Sequence, residues 1–266
     1  MGLRGPVVLT VSRRTDLVRW YPDAFCARLE SQYPPERVHT VLIMTKHPSA
    51  VLEPVVRRVL AGYAQTVVHV TITGLGGTPV EPGVPAAEAA LVELPRLVEL
   101  TGNPARVALR IDPLLSLGHG EREYGNSHLV GGLAAAAVAA GVRRMIASVA
   151  QPYAKALRRC RTEGFELRPL SAVDRELLFR QAEAAVTAAG GELQWCCTAG
   201  AAASACVDAA LLTSLHPSGL QAGMDRAGGQ RAVCGCAHAV DLGWYASHPC
   251  YSGCLYCYAN PRRPGP

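Results

Sequence analysis

The chain has 266 residues, 49% hydrophobic and 18% charged, which suffices for a full core and excludes a disordered tail or a disulfide-stapled miniprotein. Its 26 basic and 21 acidic side chains give +5, a charge that selects no polyanionic partner and does not support a nucleic-acid surface. Among the bases only Lys46 and Lys155 are lysines, so the arginine surplus reads as coding bias.

From the first residues, short β-branched or apolar runs alternate with longer helical segments. The apolar run from Pro6 to Val11 is too short for a signal-peptide core, and Arg13-Arg14 follows it where an export signal would place the pair first. A cytoplasmic protein is therefore expected. Strands are predicted at Val7 to Ser12, Val38 to Thr45, Thr66 to Thr73, Arg106 to Asp112, Arg143 to Val149 and Glu192 to Cys197. Helices are predicted at Pro22 to Ser31, Glu53 to Ala61, Ala86 to Thr101, Ser127 to Ala140 and Val173 to Ala189. Gly62, Gly102, Gly141 and Gly190 stand where left-handed caps belong, and Ser171-x-x-Asp174 reads as a capping box. The apolar run from Leu129 to Val142 is too short to span a bilayer and reads as a buried helix, so no membrane association is expected.

Six βα units without a G-x-G-x-x-G after the first strand favour a partial (β/α)6 TIM-like barrel over a dinucleotide-binding sheet. An open doubly wound sheet is the alternative. The alternation fills residues 1–205; residues 206–266, rich in Cys, Gly, His and Tyr, read as a cysteine-rich segment that closes the barrel mouth within the same domain.

Ten cysteines in a reducing compartment point to metal or redox chemistry. The sharpest motif is Cys250-Tyr-Ser-Gly-Cys254-Leu-Tyr-Cys257, a C-x3-C-x2-C array with an aromatic before its third cysteine. Three thiolates can hold three irons of a [4Fe-4S] cluster and leave the fourth open to substrate or cofactor. Structural zinc is the competing reading, with His248 or His238 as a fourth ligand. A second group comprises Cys196, Cys197, Cys206, Cys234 and Cys236; four of its thiolates, with Cys197, Cys206, Cys234 and Cys236 as the candidates, could hold an auxiliary iron-sulfur cluster or zinc. Cys26 and Cys160 read as apolar packing.

On predicted strand faces, period two groups Thr10, Ser12 and Arg14; His69, Thr71 and Thr73; and Arg110 and Asp112. Polar faces on several strands suggest a lined cavity, although Arg110 with Asp112, or Arg14 with Asp16, can equally be stiffening ion pairs. His69 reads as a core histidine. Lys46, at the end of the second strand, could hold a carboxylate; Lys155 is a weaker candidate. The pairs Arg57-Arg58, Arg143-Arg144 and Arg158-Arg159 read as solvated faces.

The C-x3-C-x2-C spacing with Tyr256 before the last cysteine resembles the signature of the radical S-adenosylmethionine (SAM) superfamily. The resemblance implies a [4Fe-4S] cluster on Cys250, Cys254 and Cys257 whose open iron chelates SAM. Reductive cleavage of SAM then yields a 5′-deoxyadenosyl radical. It also implies a place near the adenine for Tyr256, and an external electron donor such as flavodoxin or ferredoxin. Most members carry the triad after the first barrel strand, where this chain has Ser12-Arg-Arg-Thr-Asp16. With Thr45-Lys46-x-Pro48, Thr71-x-Thr73-Gly74, Arg110-x-Asp112-Pro113, Cys234-Gly-Cys236 and Cys257-Tyr-Ala-Asn260, the chain resembles a bacterial domain-of-unknown-function family whose radical-SAM-like cysteines lie near the C-terminus. That family brings no substrate. The combined expectation is an enzyme with Arg14, Asp16, Lys46, Arg110 and Asp112 in catalytic positions and Tyr256, Thr71 and Thr73 toward the cofactor. A non-catalytic zinc- or iron-sulfur-binding barrel module, with nucleic acid as a candidate partner, is the alternative.

Overall fold

The computed structural model describes residues 6–198, 201, 204–226 and 230–263. Seven strands form one parallel sheet: β1 (Val7–Val11), β2 (Val38–Thr45), β3 (Thr66–Thr71), β4 (Val107–Leu114), β7 (Arg144–Val149), β9 (Glu192–Trp195) and β10 (Val240–Asp241). Their spatial order is β10-β1-β2-β3-β4-β7-β9, so the first six follow chain order without a reversal. A three-stranded antiparallel sheet in the order β6-β5-β8 joins β5 (Ser116–His119), β6 (Arg122–Gly125) and β8 (Glu166–Leu167). Among the described residues no ladder joins β9 to β10, and closure into a barrel is not seen.

The helices are α1 (Leu17–Trp20), α2 (Pro22–Gln32), α3 (Pro48–Val51), α4 (Pro54–Leu60), α5 (Ala87–Leu91), α6 (Leu94–Thr101), α7 (Val130–Ala139), α8 (Ala154–Thr162), α9 (Ala172–Ala188) and α10 (Ala209–Leu215). Alternation of side chains divides the sheet cleanly. Leu9, Val11, Val41, Ile43, Val68, Val70, Leu109 and Ile111 join one core with Phe25, Leu29, Val56, Leu97, Leu133 and Phe179 from the helices. Such continuous apolar runs are what a parallel sheet covered on that face requires. The other face is different. Val8, Leu42, Met44 and Val67 pack beneath Cys206, Val207, Leu212, Ala222 and Cys236 of the later chain.

All six predicted strands exist, β2 with its predicted ends and the other five with shifted ends. β1 stops at Val11 because Ser12 turns left-handed (φ 70), so Ser12 and Arg14 do not continue its face. β3 stops at Thr71, which leaves Thr73 beyond the strand. The predicted helix from Ala86 to Thr101 is two, α5 and α6, separated by Val92 and Glu93, with a proline in the first turn of α6. Gly102, Gly141 and Gly190 take positive φ as expected, whereas Gly62 does not. Ser171 accepts the Asp174 N–H at 3.1 Å, confirming that cap. The seventh strand, β10, and the segments β5, β6, β8, α1, α3, α8 and α10 lie outside the predicted elements. No helix among the described residues is long and apolar enough to cross a membrane.

A cysteine-lined cavity at the strand ends

Toward the C-terminal ends of the strands the inner sheet face changes from apolar to polar. Thr71, Arg110, Asp112 and Ser148 follow Leu42, Val67 and Ala108, and a cavity of about 620 Å³ opens over them. Eight of the ten cysteines line it: Cys196, Cys197, Cys206, Cys234, Cys236, Cys250, Cys254 and Cys257. Cys26 and Cys160 lie elsewhere, buried as packing residues. Every cysteine is a free thiol. Among the described residues, no three His, Cys, Asp or Glu side chains already converge on one point as a single metal ion requires.

The segment carrying Cys250, Cys254 and Cys257 is irregular, so its shape depends on contacts from distant elements. Arg159 on α8 donates to the carbonyls of Leu255 (2.8 Å), Cys257 (2.9 Å), Cys254 (3.3 Å) and Ala259 (3.0 Å). This residue is a clamp and not the solvated charge expected, although neighbouring Arg158 is exposed. Thr15 Oγ1 donates to the His248 carbonyl at 2.6 Å and Tyr21 to that of Pro249 at 2.9 Å. Ser252 lies within reach of His47 Nε2 (3.2 Å) and Trp20 Nε1 (3.4 Å). Burial, with Arg19 and Lys46 nearby, pushes the His47 pKa down to about 3, so it meets Ser252 as a neutral ring. Gly83 N–H donates to Ser252 O at 3.1 Å, and a Cβ there would lie 2.5 Å from Tyr251 O.

Glu81 anchors the other side of this loop and is fully buried. Its carboxylate accepts from Lys46 Nζ (2.8 Å), Thr73 Oγ1 (2.7 Å) and the Tyr256 hydroxyl. No periodic pattern surrounds Glu81, which sits in a Gly- and Pro-rich loop, so its position was not readable. Burial and the Glu81 charge push the Tyr256 hydroxyl well above its ordinary pKa, and burial likewise raises Cys254. Thr73 spends its hydroxyl on Glu81 and does not line the cavity, unlike Thr71.

Asp16 accepts from Thr45 Oγ1 (2.8 and 3.0 Å) and the Lys46 N–H (2.9 Å), tying the loop after β1 to the end of β2. Burial raises its carboxyl to about 6 against the lowering effect of these bonds. Arg14 does not pair with Asp16; it is exposed beside the Tyr245 ring, 4.9 Å from its centroid, and reaches the cavity rim. Arg110 pairs with Asp112, whose other oxygen accepts from Ser148, and Arg110 Nη1 lies 3.3 Å from Met44 Sδ. Beside them β4 slips its register with β7 between Ile111 and Leu114, where Pro113 has no N–H to give.

Cys196, omitted from the candidate ligands, lies 3.8 Å from Cys206, sulfur to sulfur. The Cys196 and Cys236 thiols hold Cys206 well below its ordinary pKa, with Arg110 adding to the effect. His69 is buried as expected, but its Nδ1 has no partner among the described residues, and burial lowers its pKa to about 4. Arg144 is half-buried and donates to the Ala205 carbonyl at 2.6 Å, which corrects its reading as a solvated charge. Neither His248, packed on Tyr21, nor exposed His238 lines the cavity. Lys155 reaches Asn260 Oδ1 at 3.2 Å at the outer surface.

The fold and site define an α/β protein with a polar, thiol-lined cavity at the C-terminal ends of a parallel sheet. Over residues 8–259 the chain matches the family described as Domain of unknown function (DUF1848), and it belongs to that family. No curated protein matches it. Among solved structures, it is similar to the crystal structure of Streptococcus suis SuiB at 11% identity and a TM-score of 0.38. The match covers 80% of this chain and 52% of that one, so this chain spans about half that protein's length.

Proposed function

We propose that the protein is a radical SAM enzyme whose Cys250, Cys254 and Cys257 hold a [4Fe-4S] cluster. The observation that carries this reading is the opening of all three thiols onto one polar cavity at the strand ends, where a parallel sheet of this kind gathers reactive groups. The donor set fits the group: three thiols from eight residues of loop, too few to close a four-ligand centre and enough to leave one iron open. Sequential strand order with α2, α4, α6, α7 and α9 on one face is the winding of a partial (β/α)6 barrel, which the proposal includes.

When bound, the cluster supplies the electron that cleaves SAM reductively to methionine and a 5′-deoxyadenosyl radical. The chain's own residues bind and orient. Lys46 donates one hydrogen bond to Glu81 and has two further donors for a carboxylate at the cavity. Arg110, fixed by Asp112 and Met44, offers a second cation for an anionic group. Tyr256, held by Glu81, lines the same cavity as the three thiols. Asp16 acts as a positioning residue, because both its oxygens are engaged with the β2 end. An external one-electron donor of the flavodoxin or ferredoxin kind is part of the proposal, as is a reducing cytoplasm. The substrate is a small molecule able to enter about 620 Å³ alongside SAM.

Anaerobic reconstitution with iron and sulfide, reduction by dithionite and addition of SAM test the reading. Methionine and 5′-deoxyadenosine are the expected products. A protein that takes up zinc but no iron, and leaves SAM intact, is a metal-binding module instead.

A further inference from the structure

We propose a second thiolate-bound metal centre in the cavity wall, built on Cys196, Cys206 and Cys236, with its fourth ligand from adjoining Cys197 or Cys234. Its ligands are disjoint from Cys250, Cys254 and Cys257, so it stands independently of the radical SAM reading. Two thiolates on one zinc or iron, each with a bond of about 2.3 Å, sit roughly 3.8 Å apart in tetrahedral geometry. Cys196 and Cys206 are 3.8 Å apart, sulfur to sulfur. That separation is far outside the roughly 2.05 Å of a disulfide. Cys236 is next to this pair, its sulfur accepting the Cys206 N–H at 3.1 Å and the Val207 N–H at 3.4 Å. Backbone donors of this kind stabilise negative charge on cluster-ligating sulfur.

The backbone is shaped to present these thiols. β9 ends at Trp195, and in a continuing strand Cys196 and Cys197 would point to opposite faces. Instead Cys197 takes φ 48, a left-handed conformation unfavourable for a side chain of this kind, and both residues line the cavity. Three chain segments, one after β9, one before α10 and one before β10, thus bring five cysteines to one wall. A single buried cysteine is ordinary packing; five together carry negative charge when a metal deprotonates them. Cations are supplied. Arg110 lines the same cavity, Arg144 reaches the Ala205 carbonyl beside Cys206 at 2.6 Å, and Arg231 lies at the rim near Cys234. Soft thiolate sets select zinc or an iron-sulfur cluster, and metal binding draws Cys236 in to complete the centre.

The test uses the full chain with Cys250→Ala, Cys254→Ala and Cys257→Ala, which removes the first ligand set. It is loaded anaerobically with ferrous iron and sulfide, or with Zn²⁺ alone, desalted and assayed for metal. Stoichiometric retention is expected, with iron and sulfide identifying a cluster and zinc alone a mononuclear site. Adding Cys206→Ser should reduce retention at least tenfold, while Cys26→Ser should not change it. A Co²⁺ titration of the triple variant reads the same site without altering its ligands, through intense thiolate-to-cobalt charge-transfer absorption. Absence of both metal retention and these bands overturns the proposal. Bands or retention unchanged by Cys206→Ser overturn it as well.

Discussion

Lys46 Nζ lies 2.8 Å from Glu81 Oε1, and Glu81 is completely buried while Lys46 keeps 17% of its side-chain surface exposed. One end of this ion pair faces the cavity and the other is locked to Thr73 and Tyr256. Removing the carboxylate leaves a poorly solvated ammonium. Glu81→Gln should therefore cost about 3 kcal/mol of unfolding free energy, and adding Lys46→Met should recover part of it. Urea denaturation of the two single variants and the double checks the coupling. Additive losses would show that the pair contributes nothing as a pair.

Asp16 carries a measurable pH signature. Its folded carboxyl, at about 6, binds a proton more tightly than an unfolded one at 3.8. Its contribution to stability is thus complete below about pH 4 and is lost as pH rises through 6, a change on the order of 3 kcal/mol. Relative to Asp16→Asn, the parent protein should lose that much between pH 4 and pH 7. A stability gap independent of pH would show that burial does not raise this group.

The Arg159 fork holds four carbonyls with one guanidinium, a task the point charge of lysine cannot repeat. Arg159→Lys should speed hydrogen exchange across 250–260 and lower iron uptake several-fold. Gly83→Ala should loosen the same loop from its opposite side, because the added Cβ meets the Tyr251 carbonyl. Unchanged exchange in both variants would mean that the loop is held by other contacts.

Ligands and positioning residues should fail differently. Alanine at Cys250, Cys254 or Cys257 is expected to abolish the SAM-responsive cluster and deoxyadenosine formation while the sheet folds normally. Changes at Arg110 or Asp112 should keep the cluster and slow SAM cleavage tenfold or more, through poor positioning. Iron analysis and the reduced-cluster spectrum with and without SAM separate the two outcomes. A cysteine variant that keeps a SAM-responsive cluster would refute its assignment as a ligand.

The strands were readable because runs such as Val38 to Thr45 and Thr66 to Thr71 are dominated by β-branched and apolar residues, a local property of a doubly covered strand. The Cys250 loop was readable for the same reason, since its three cysteines lie within eight residues. Glu81 and Arg159 were not, because their partners lie as far as 175 and 100 residues away and nothing local distinguishes them from solvent-facing charges. The hairpin of β5 and β6 was hidden because each strand has four residues and sends one large side chain, Leu117 or Tyr124, to the cluster beneath it, too few to show a period. Nothing in the sequence separates Cys196 from the other four cysteines of its group; in a strand it and Cys197 would point to opposite faces, and the left-handed turn at Cys197 brings both to the cavity.

β10 does more than carry the chain toward the cysteine loop. By pairing Val240 with Leu9 and Asp241 with Thr10, it covers the outer edge of β1. An uncovered strand of this composition, Val-Val-Leu-Thr-Val, is a template for pairing with another molecule. Unfastening the segment from residue 240 onward therefore bares a sticky edge at the same moment that it dismantles the thiol loop. Damage that strips the cavity of its cysteine loop in this way should reveal itself first as self-association, before any loss of helix content is visible.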